Sequence, residues 1–280
     1  MNPWTIASST VYDSANLGRP IVRELRELWV FRGLLRVLIA RDVTVRYKRS
    51  VLGLWWALLN PLLRVLVMWI VLSQVFRLAE PGVPYVVYLF SGIAVFTFFE
   101  QAITGAGASI VNSSPLISKM HVPAQNFALS AVAAAAVTFG LSLVALLVVQ
   151  LATGVGIPAT WLLLWLPFIA LAALAIGVGL FVASAAVRFY DTLDLTFVLL
   201  GLLAFLTPTF YPLSALSDTA QTLIKLNPLT EFLDVFRGLL YGGTIAPAWE
   251  WAVCFGTGTV ALAAGLAYFS RTWQSAALMI

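Results

Sequence analysis

Apolar residues fall into six long runs along the chain, separated by short polar or basic stretches. The runs cover residues 55–76, 85–104, 126–153, 161–187, 195–211 and 249–269. A helix rises about 1.5 Å per residue, so a run of about 20 residues crosses the roughly 30 Å core of a bilayer. The pattern therefore predicts an all-α polytopic membrane protein with six transmembrane helices.

The composition excludes an ordinary soluble domain. Of the 280 residues, 61% are hydrophobic and 10% are charged, whereas soluble domains carry about 25% charged residues. The formal net charge of +4 is too small to indicate nucleic-acid binding. Cys254 is the only cysteine, so no intramolecular disulfide can form and no metal site is expected.

Basic residues are distributed unequally between the two sides of the predicted membrane domain. An even number of spans places both termini on one side, and that side carries twelve Lys and Arg residues against three on the other, with Arg64 inside the first run. Basic loops stay in the cytoplasm. We therefore expect a multi-pass protein of the bacterial inner membrane, with a cytoplasmic region (1–54), a permease domain (55–271) and a cytoplasmic tail (272–280).

Three segments do not read as simple loops. Residues 19–40 have apolar positions at helical spacing with arginines between them, which predicts either an amphipathic interfacial helix or a soluble helix that docks on a partner. Residues 109–125 leave room for a short cytoplasmic helix. Residues 212–248 are apolar but too short to span twice, and Asn227-Pro228 divides them. They predict a re-entrant helical hairpin on the outer face, between transmembrane helices 5 and 6.

The stretches 38–62, 98–123 and 227–237 carry a family likeness in their order and spacing. They resemble the ABC-2 type permeases that export O-antigen, capsule and teichoic acid. The resemblance implies a homodimer that pairs with two copies of a separate ATPase subunit. ATP and Mg²⁺ would then be bound by that partner and no cofactor by this chain, which contains no Gly-Lys pair and hence no phosphate-binding P-loop.

The resemblance also implies roles for particular residues. Contact with the ATPase would be made by Ser114, Pro115, Leu116, Ile117, Ser118, Lys119, Met120, Asp191 and Asp194. The outer gate would be formed by Asn227, Pro228, Glu231 and Arg237. A basic cluster, Arg41, Arg46, Lys48 and Arg49, would admit a lipid diphosphate headgroup, because arginine binds phosphate oxygens in a forked geometry. The alternative is that this cluster only fixes topology and contacts anionic lipid.

Aromatic and charged residues inside the runs are further candidates. Aromatic rings stack on sugar faces, so a channel for a polysaccharide would be lined by some of Trp69, Phe96, Phe98, Phe99, Phe205, Phe210 and Tyr211; for any one of them, packing is the competing interpretation. Ionisable residues inside a membrane are costly and therefore functional candidates. Arg64 and Glu100 lie at similar depth. Glu100 forms an ion pair with Arg64 or with the Arg46 region, or each side chain reaches water separately.

Together these features predict the membrane subunit of an ABC transporter that exports a polyprenyl-diphosphate-linked polysaccharide. High usage of Ala, Gly and Arg favours an actinobacterial cell-wall galactan. The alternatives are an ABC-2 exporter of small drugs or lipids, an ATP-independent flippase, and a membrane-embedded glycosyltransferase. An enzyme is disfavoured, because His121 is the only histidine and no Asp-x-Asp sequence is present to hold a metal.

Overall fold

A computed structural model of the chain describes residues 32–47, 55–75, 82–113 and 124–277. Within those ranges the regular elements are helices and no strand is present, which confirms the predicted all-α class. The nine helices of the described residues are α1 (Arg32–Tyr47), α2 (Trp55–Ile70), α3 (Tyr85–Asn112), α4 (Gln125–Ala152), α5 (Trp165–Arg188), α6 (Thr192–Phe205), α7 (Asp218–Lys225), α8 (Pro228–Arg237) and α9 (Ala248–Ala277). Short π turns follow α2 (Val71–Val75) and α8 (Gly238–Gly242).

Among the described residues, four helical segments are long and apolar enough to cross a membrane. They are Tyr85–Asn112, Gln125–Ala152, Ala159–Arg188 and Ala248–Trp273, and they correspond to the second, third, fourth and sixth predicted spans. The first and fifth runs form the shorter apolar helices Leu58–Gln74 and Thr192–Phe205. The described residues thus hold four candidate spans by length and composition, and a total of six stays a prediction.

The helix formed by the fifth apolar run is short for a local reason. Its helix α6 ends at Phe205, three residues before Pro208, which has no amide hydrogen to donate and disfavours helical geometry in the residue before it. The backbone from 206 to 211 is non-helical, and we call it the 206–211 turn. A helix of 14 residues reaches only roughly 21 Å at about 1.5 Å per residue.

Helix α3 is the centre of the fold and packs against α2, α4, α5, α6 and α8. Four phenylalanines from four helices meet around it, namely Phe98, Phe139, Phe168 and Phe236. Their neighbouring ring centroids lie 5.0 to 6.0 Å apart, a favourable separation for offset and edge contacts. This aromatic cluster ties α8 to the long helices, so α8 belongs to the core.

Helices α5 and α9 approach each other closely through glycines. A Cβ atom at Gly258 would lie 2.5 Å from the carbonyl oxygen of Ala170, and one at Gly265 would overlap the carbonyl oxygen of Gly177. Small residues of this kind let helix backbones come into van der Waals contact where no hydrophobic effect drives helices together. The pair α5 and α9 is the most extensive helix contact of the described residues.

The segment after the 206–211 turn holds two short helices, α7 and α8, separated at Leu226 and Asn227 as the sequence predicts. The two are not equivalent. Helix α7 has no buried residue, whereas eight of the ten residues of α8 are buried. The two short helices therefore differ in burial. Re-entry of this segment into a membrane stays a prediction.

The π turn after α8 is fixed by side chains from other elements. Gln150 at the end of α4 and Trp161 both donate to the carbonyl oxygen of Leu240, at 2.9 and 2.7 Å. Thr160 donates to the carbonyl oxygen of Leu239 at 2.8 Å. A π turn disrupts the regular ladder of backbone bonds, and unpaired carbonyls are costly in an apolar interior. These three donors anchor the end of α8 to the connection between α4 and α5.

At the other end of the molecule, α1 lies against α4. Leu38 is buried in this contact, and the hydroxyl of Ser130 donates to a carboxylate oxygen of Asp42 at 3.0 Å. The observed helix begins at Arg32 and continues to Tyr47, beyond the predicted end at residue 40. Residues 19–31 of the predicted interfacial helix lie outside the described residues.

Replacement of Gly265 by alanine tests the close contact between α5 and α9. Its Cβ would overlap the backbone of α5, which cannot yield as a side chain can, so we expect a loss of about 1 to 3 kcal/mol in unfolding free energy. The measurement is a denaturation titration of the detergent-solubilised protein. The matched control is Gly256→Ala on the same helix, where nothing lies within 4 Å of the new Cβ and helix propensity favours alanine. Equal stability of the two variants would contradict the glycine contact.

Candidate functional site

A cavity of about 230 Å³ lies between α2, α3, α6 and the 206–211 turn. It is lined by Arg64, Met68, Ile93, Phe96, Thr97, Glu100, Gly201, Ala204, Thr209 and Phe210. The lining combines two charged groups, two hydroxyl residues and two aromatic rings with small apolar residues. Arg64 is exposed, so the cavity is open to the outside of the chain.

The two charged residues that the sequence singles out thus meet at one site. Arg64 comes from α2 and Glu100 from α3, and both line the cavity. Both side chains are described, and no ion pair joins them. The interpretation in which Glu100 and Arg64 tie two helices together by charge therefore has no support in the geometry of a single chain. Each charge instead faces the shared space.

The surface around the cavity is apolar and uncovered. Helix α6 has a single buried residue, Leu200, among its 14. The large hydrophobic side chains that α2 and α6 expose are Trp55, Trp56, Leu59, Leu63, Leu66, Val67, Ile70, Leu195, Phe197, Val198, Leu199, Leu202 and Phe205. Two neighbouring helices with uncovered apolar faces require either lipid or another protein chain as their neighbour.

The seven predicted channel aromatics are separated by the fold. Phe96 and Phe210 line the cavity, and Phe205 is exposed with its ring 5.8 Å from that of Phe210. The remaining four lie elsewhere: Phe98 and Phe99 are buried in the core, Trp69 packs against that core, and the hydroxyl of Tyr211 donates to the carbonyl oxygen of Phe205 at 2.5 Å. Two of the seven predicted aromatic residues thus line the cavity.

The 206–211 turn is held by two tyrosines of α3 that sequence reasoning missed. Tyr85 donates its hydroxyl hydrogen bond to the carbonyl oxygen of Phe210. Tyr88 donates to the carbonyl oxygen of Tyr211 at 2.9 Å. In the sequence their only signal is a spacing of three residues at the start of an apolar run, which places both on one face of a helix.

Asn227 and Pro228, predicted as part of an outer gate, begin helix α8. The side-chain oxygen of Asn227 accepts from the amide of Leu229 at 3.1 Å, and Pro228 occupies the first helical turn. This is a favoured helix start, since the cap satisfies a free amide and proline lacks one. The amide nitrogen of Asn227 also donates to the hydroxyl of Thr207 at 2.8 Å. The same residue thus caps α8 and holds the 206–211 turn.

Glu231, another predicted gate residue, is buried in the first turns of α8. The pKa of this carboxyl is raised to about 7, chiefly by burial and also by the nearby carboxylates of Asp234 and Glu250, against an opposing contribution from Lys225. Burial disfavours the charged form of an acid, and like charges add to that effect. Helix α8 therefore carries a carboxyl group whose pKa lies near neutral pH.

The predicted cytoplasmic sites are only partly within the described residues. Arg41 is exposed and pairs with the adjacent Asp42 at 2.8 Å, a contact between neighbours that solvent weakens. Arg46 lies on α1, whereas Lys48, Arg49 and the coupling residues 114–120 lie outside the described residues. Their predicted roles stay predictions.

The turn between α5 and α6 presents a compact exposed surface. Asp191 occupies the position before the helix without a side-chain cap bond, and Asp194 lies in its first turn. Both carboxylates are exposed. Beside them, Phe189 and Tyr190 are 67% and 63% exposed. Sequence reasoning identified the two acids but not the two aromatic residues, whose type is enriched at contact surfaces.

The sequence pattern that defines the ABC-2 type transporter family matches residues 33–241 of the chain. The chain belongs to this family. The match covers α1 to α8. Every residue that lines the cavity lies within this matched part of the chain.

Individual relatives agree with the family match. The chain is 32% identical over 225 residues to the O-antigen export system permease protein RfbA of Myxococcus xanthus, covering 79% of this chain and 85% of the relative. It is 27% identical to the RfbA protein of Klebsiella pneumoniae, covering 85% and 91%. The capsule polysaccharide export inner-membrane protein CtrC of Neisseria meningitidis is 23% identical, covering 88% and 94%.

Charge removal at Arg64 and Glu100 tests whether the two act separately. Because the two residues share a cavity but no ion pair joins them, the effects of Arg64→Gln and Glu100→Gln on the unfolding free energy should depart from additivity by no more than about 1 kcal/mol in the double variant, the lower part of the range for residues that share a cavity. A detergent denaturation titration of the four proteins gives this coupling. A coupling well above about 1 kcal/mol would show that the two charges pair after all.

Proposed function

We propose that this chain is the membrane subunit of an ABC transporter that exports a polysaccharide linked to polyprenyl diphosphate, driven by a separate ATPase subunit. Membership of the ABC-2 type family supports a transporter. The names of the relatives support polysaccharide as the cargo, since RfbA proteins belong to O-antigen export and CtrC to capsule export. A cell-wall galactan is the cargo that we favour among such polymers.

The observation that carries this proposal is the pair of charged residues, Arg64 and Glu100, in a cavity that opens on an apolar face. A charge exposed to lipid at membrane depth is costly, and such residues normally face a protein interior or a water-filled space. A second copy of this chain laid over the α2 and α6 surfaces would close the face. Two cavities would then join about a two-fold axis into one polar conduit.

The lining of the cavity suits a polymer that must move. The rings of Phe96 and Phe210 offer flat surfaces for the apolar faces of sugars, and Thr97 and Glu100 offer hydrogen bonds to hydroxyl groups. Conduction requires binding that is favourable but weak and repeated at several sites. Small residues at Gly201 and Ala204 leave the opposite wall of the cavity without bulky side chains.

The cytoplasmic parts complete the proposal. The ATPase, which binds ATP and Mg²⁺, would contact residues 114–120 and the turn at 189–194, where exposed aromatic and acidic residues adjoin. Arg41 and Arg46 on α1, with Lys48 and Arg49, would receive the diphosphate of the lipid carrier. Six spans with both termini in the cytoplasm remain the topology that we propose.

Depletion of this chain in its host tests the proposal. We expect lipid-linked polysaccharide to accumulate inside the cell and to disappear from the surface, as measured by chromatography of extracted lipids and by surface labelling. An ATPase subunit should co-purify with the tagged chain. Accumulation of a small lipid or drug instead would favour a different ABC-2 exporter, and synthesis of glycan by the purified chain without ATP would favour a glycosyltransferase.

Complementation of the depleted cells then tests the cavity. The double variant Phe96→Ala with Phe210→Ala should lower export about tenfold or more, because stacking contributes about 1 kcal/mol or more per ring. The control is Phe181→Ala, which removes a half-exposed ring on α5 that contacts the tilted ring of Tyr268 away from the cavity. Equal export by the two variants, at equal protein levels, would contradict the role of the cavity.

A further inference from the structure

The 206–211 turn is a stretch of non-helical backbone whose carbonyl groups are held from outside. Tyr85 binds the carbonyl oxygen of Phe210, and Tyr88 lies within reach of two more. The amide of Asn227 lies 3.2 Å from the carbonyl oxygen of Leu206. In a membrane protein, irregular backbone persists only where protein groups or a cavity satisfy it. The donors come from α3 and from the start of α8.

Arg237, at the end of α8, is the cation of this arrangement. Its guanidinium carbon lies 3.7 Å from the centre of the Tyr88 ring, and a terminal nitrogen lies 3.5 Å from the carbonyl oxygen of Thr209. The side chain is only 6% exposed. Among the described residues no carboxylate lies within ion-pair distance of it, although Asp234, one turn earlier on α8, interacts with it electrostatically. The contact with the carbonyl is long, so stacking of the cation on a desolvated ring is the stronger interaction.

The opposite wall of this contact is Gly92 on α3. A Cβ atom there would lie 2.6 Å from the carbonyl oxygen of Thr209 and 2.8 Å from the guanidinium of Arg237. Both distances are too short for real atoms, so any larger residue would displace the turn or the arginine. The backbone of Thr209 is therefore clamped between a glycine of one helix and the arginine of another.

A buried cation that forms no direct ion pair costs free energy, and a core position such as this is ordinarily filled by an apolar residue. Packing alone therefore does not account for arginine at this position. Unlike a leucine side chain, Arg237 can bind both the Tyr88 ring and the Thr209 carbonyl. It thereby links α8 to the 206–211 turn, which lines the cavity with Thr209 and Phe210.

We propose that Arg237 is a positioning residue that latches the 206–211 turn to α8, so that this wall of the cavity and α8 move as one body. The consequence for transport rests on the proposed function: when α8 moves to open the exit, the turn moves with it. When the latch is absent, the turn opens independently and the cavity wall becomes accessible while α8 stays in place.

Accessibility of residue 209 measures the latch directly. Thr209 is fully buried, and Thr209→Cys is a near-isosteric probe in a chain whose other cysteine, Cys254, is also buried. The probe is the rate of maleimide labelling in membranes of cells expressing the full chain. Arg237→Lys keeps the charge but loses the planar stacking group, and we expect labelling about tenfold faster or more. Gly92→Ala should have the same effect with Arg237 present.

The matched control is Lys225→Gln, which removes a cation from exposed α7 without touching the turn and should leave labelling unchanged. Unchanged labelling in both Arg237→Lys and Gly92→Ala, at normal protein levels, overturns the latch. Equal acceleration by Lys225→Gln also overturns it, because the effect is then general loosening. If Arg237→Lys does not accumulate, Gly92→Ala carries the test. Failure of the unaltered chain to restore export in depleted cells sinks the proposed function instead, and the labelling rates do not depend on that result.

Discussion

The structure depends on one constraint, which is that polar groups in an apolar environment must be satisfied by the protein itself. Helices meet this constraint along their length, and the described chain is helical wherever its elements are regular. Where helices break, side chains replace the missing backbone bonds. Gln150, Thr160 and Trp161 do so at the π turn after α8, and Tyr85 and Tyr88 do so at the 206–211 turn.

The same constraint connects the fold to the proposed function. Charged groups at Arg64 and Glu100 are tolerated because they face a cavity. The exposed apolar surface beside them must be covered by lipid or by another protein chain. In the proposed function, one chain provides half of a polar passage and the uncovered face that a second copy would close. The irregular backbone of the 206–211 turn, held by side chains of α3 and α8, would form part of the wall of that passage.

Sequence reasoning predicted what depends on pattern and missed what depends on three-dimensional contacts. Runs of apolar residues gave the helical class and the long spans, and the Asn227-Pro228 break marked the start of α8. Pattern alone could not separate Phe96, which is buried in the core and also lines the cavity, from Phe98, which is buried in the core alone, because both belong to one uniformly apolar helix. Nor could it pair Arg237 with Tyr88, which lie 149 positions apart in the sequence.

In the proposed dimer a second copy of this chain covers the face beside the cavity, so a cross-link between copies should form at this face. Val198 on α6 and Val148 on α4 are 55% and 56% exposed. Of these two helices, α6 lines the cavity and α4 does not. With cysteine at either position in membranes, a short bifunctional maleimide should join two chains through residue 198 and not through residue 148. A chain that exports its cargo yet is joined through residue 148 alone, or through neither position, would contradict the account.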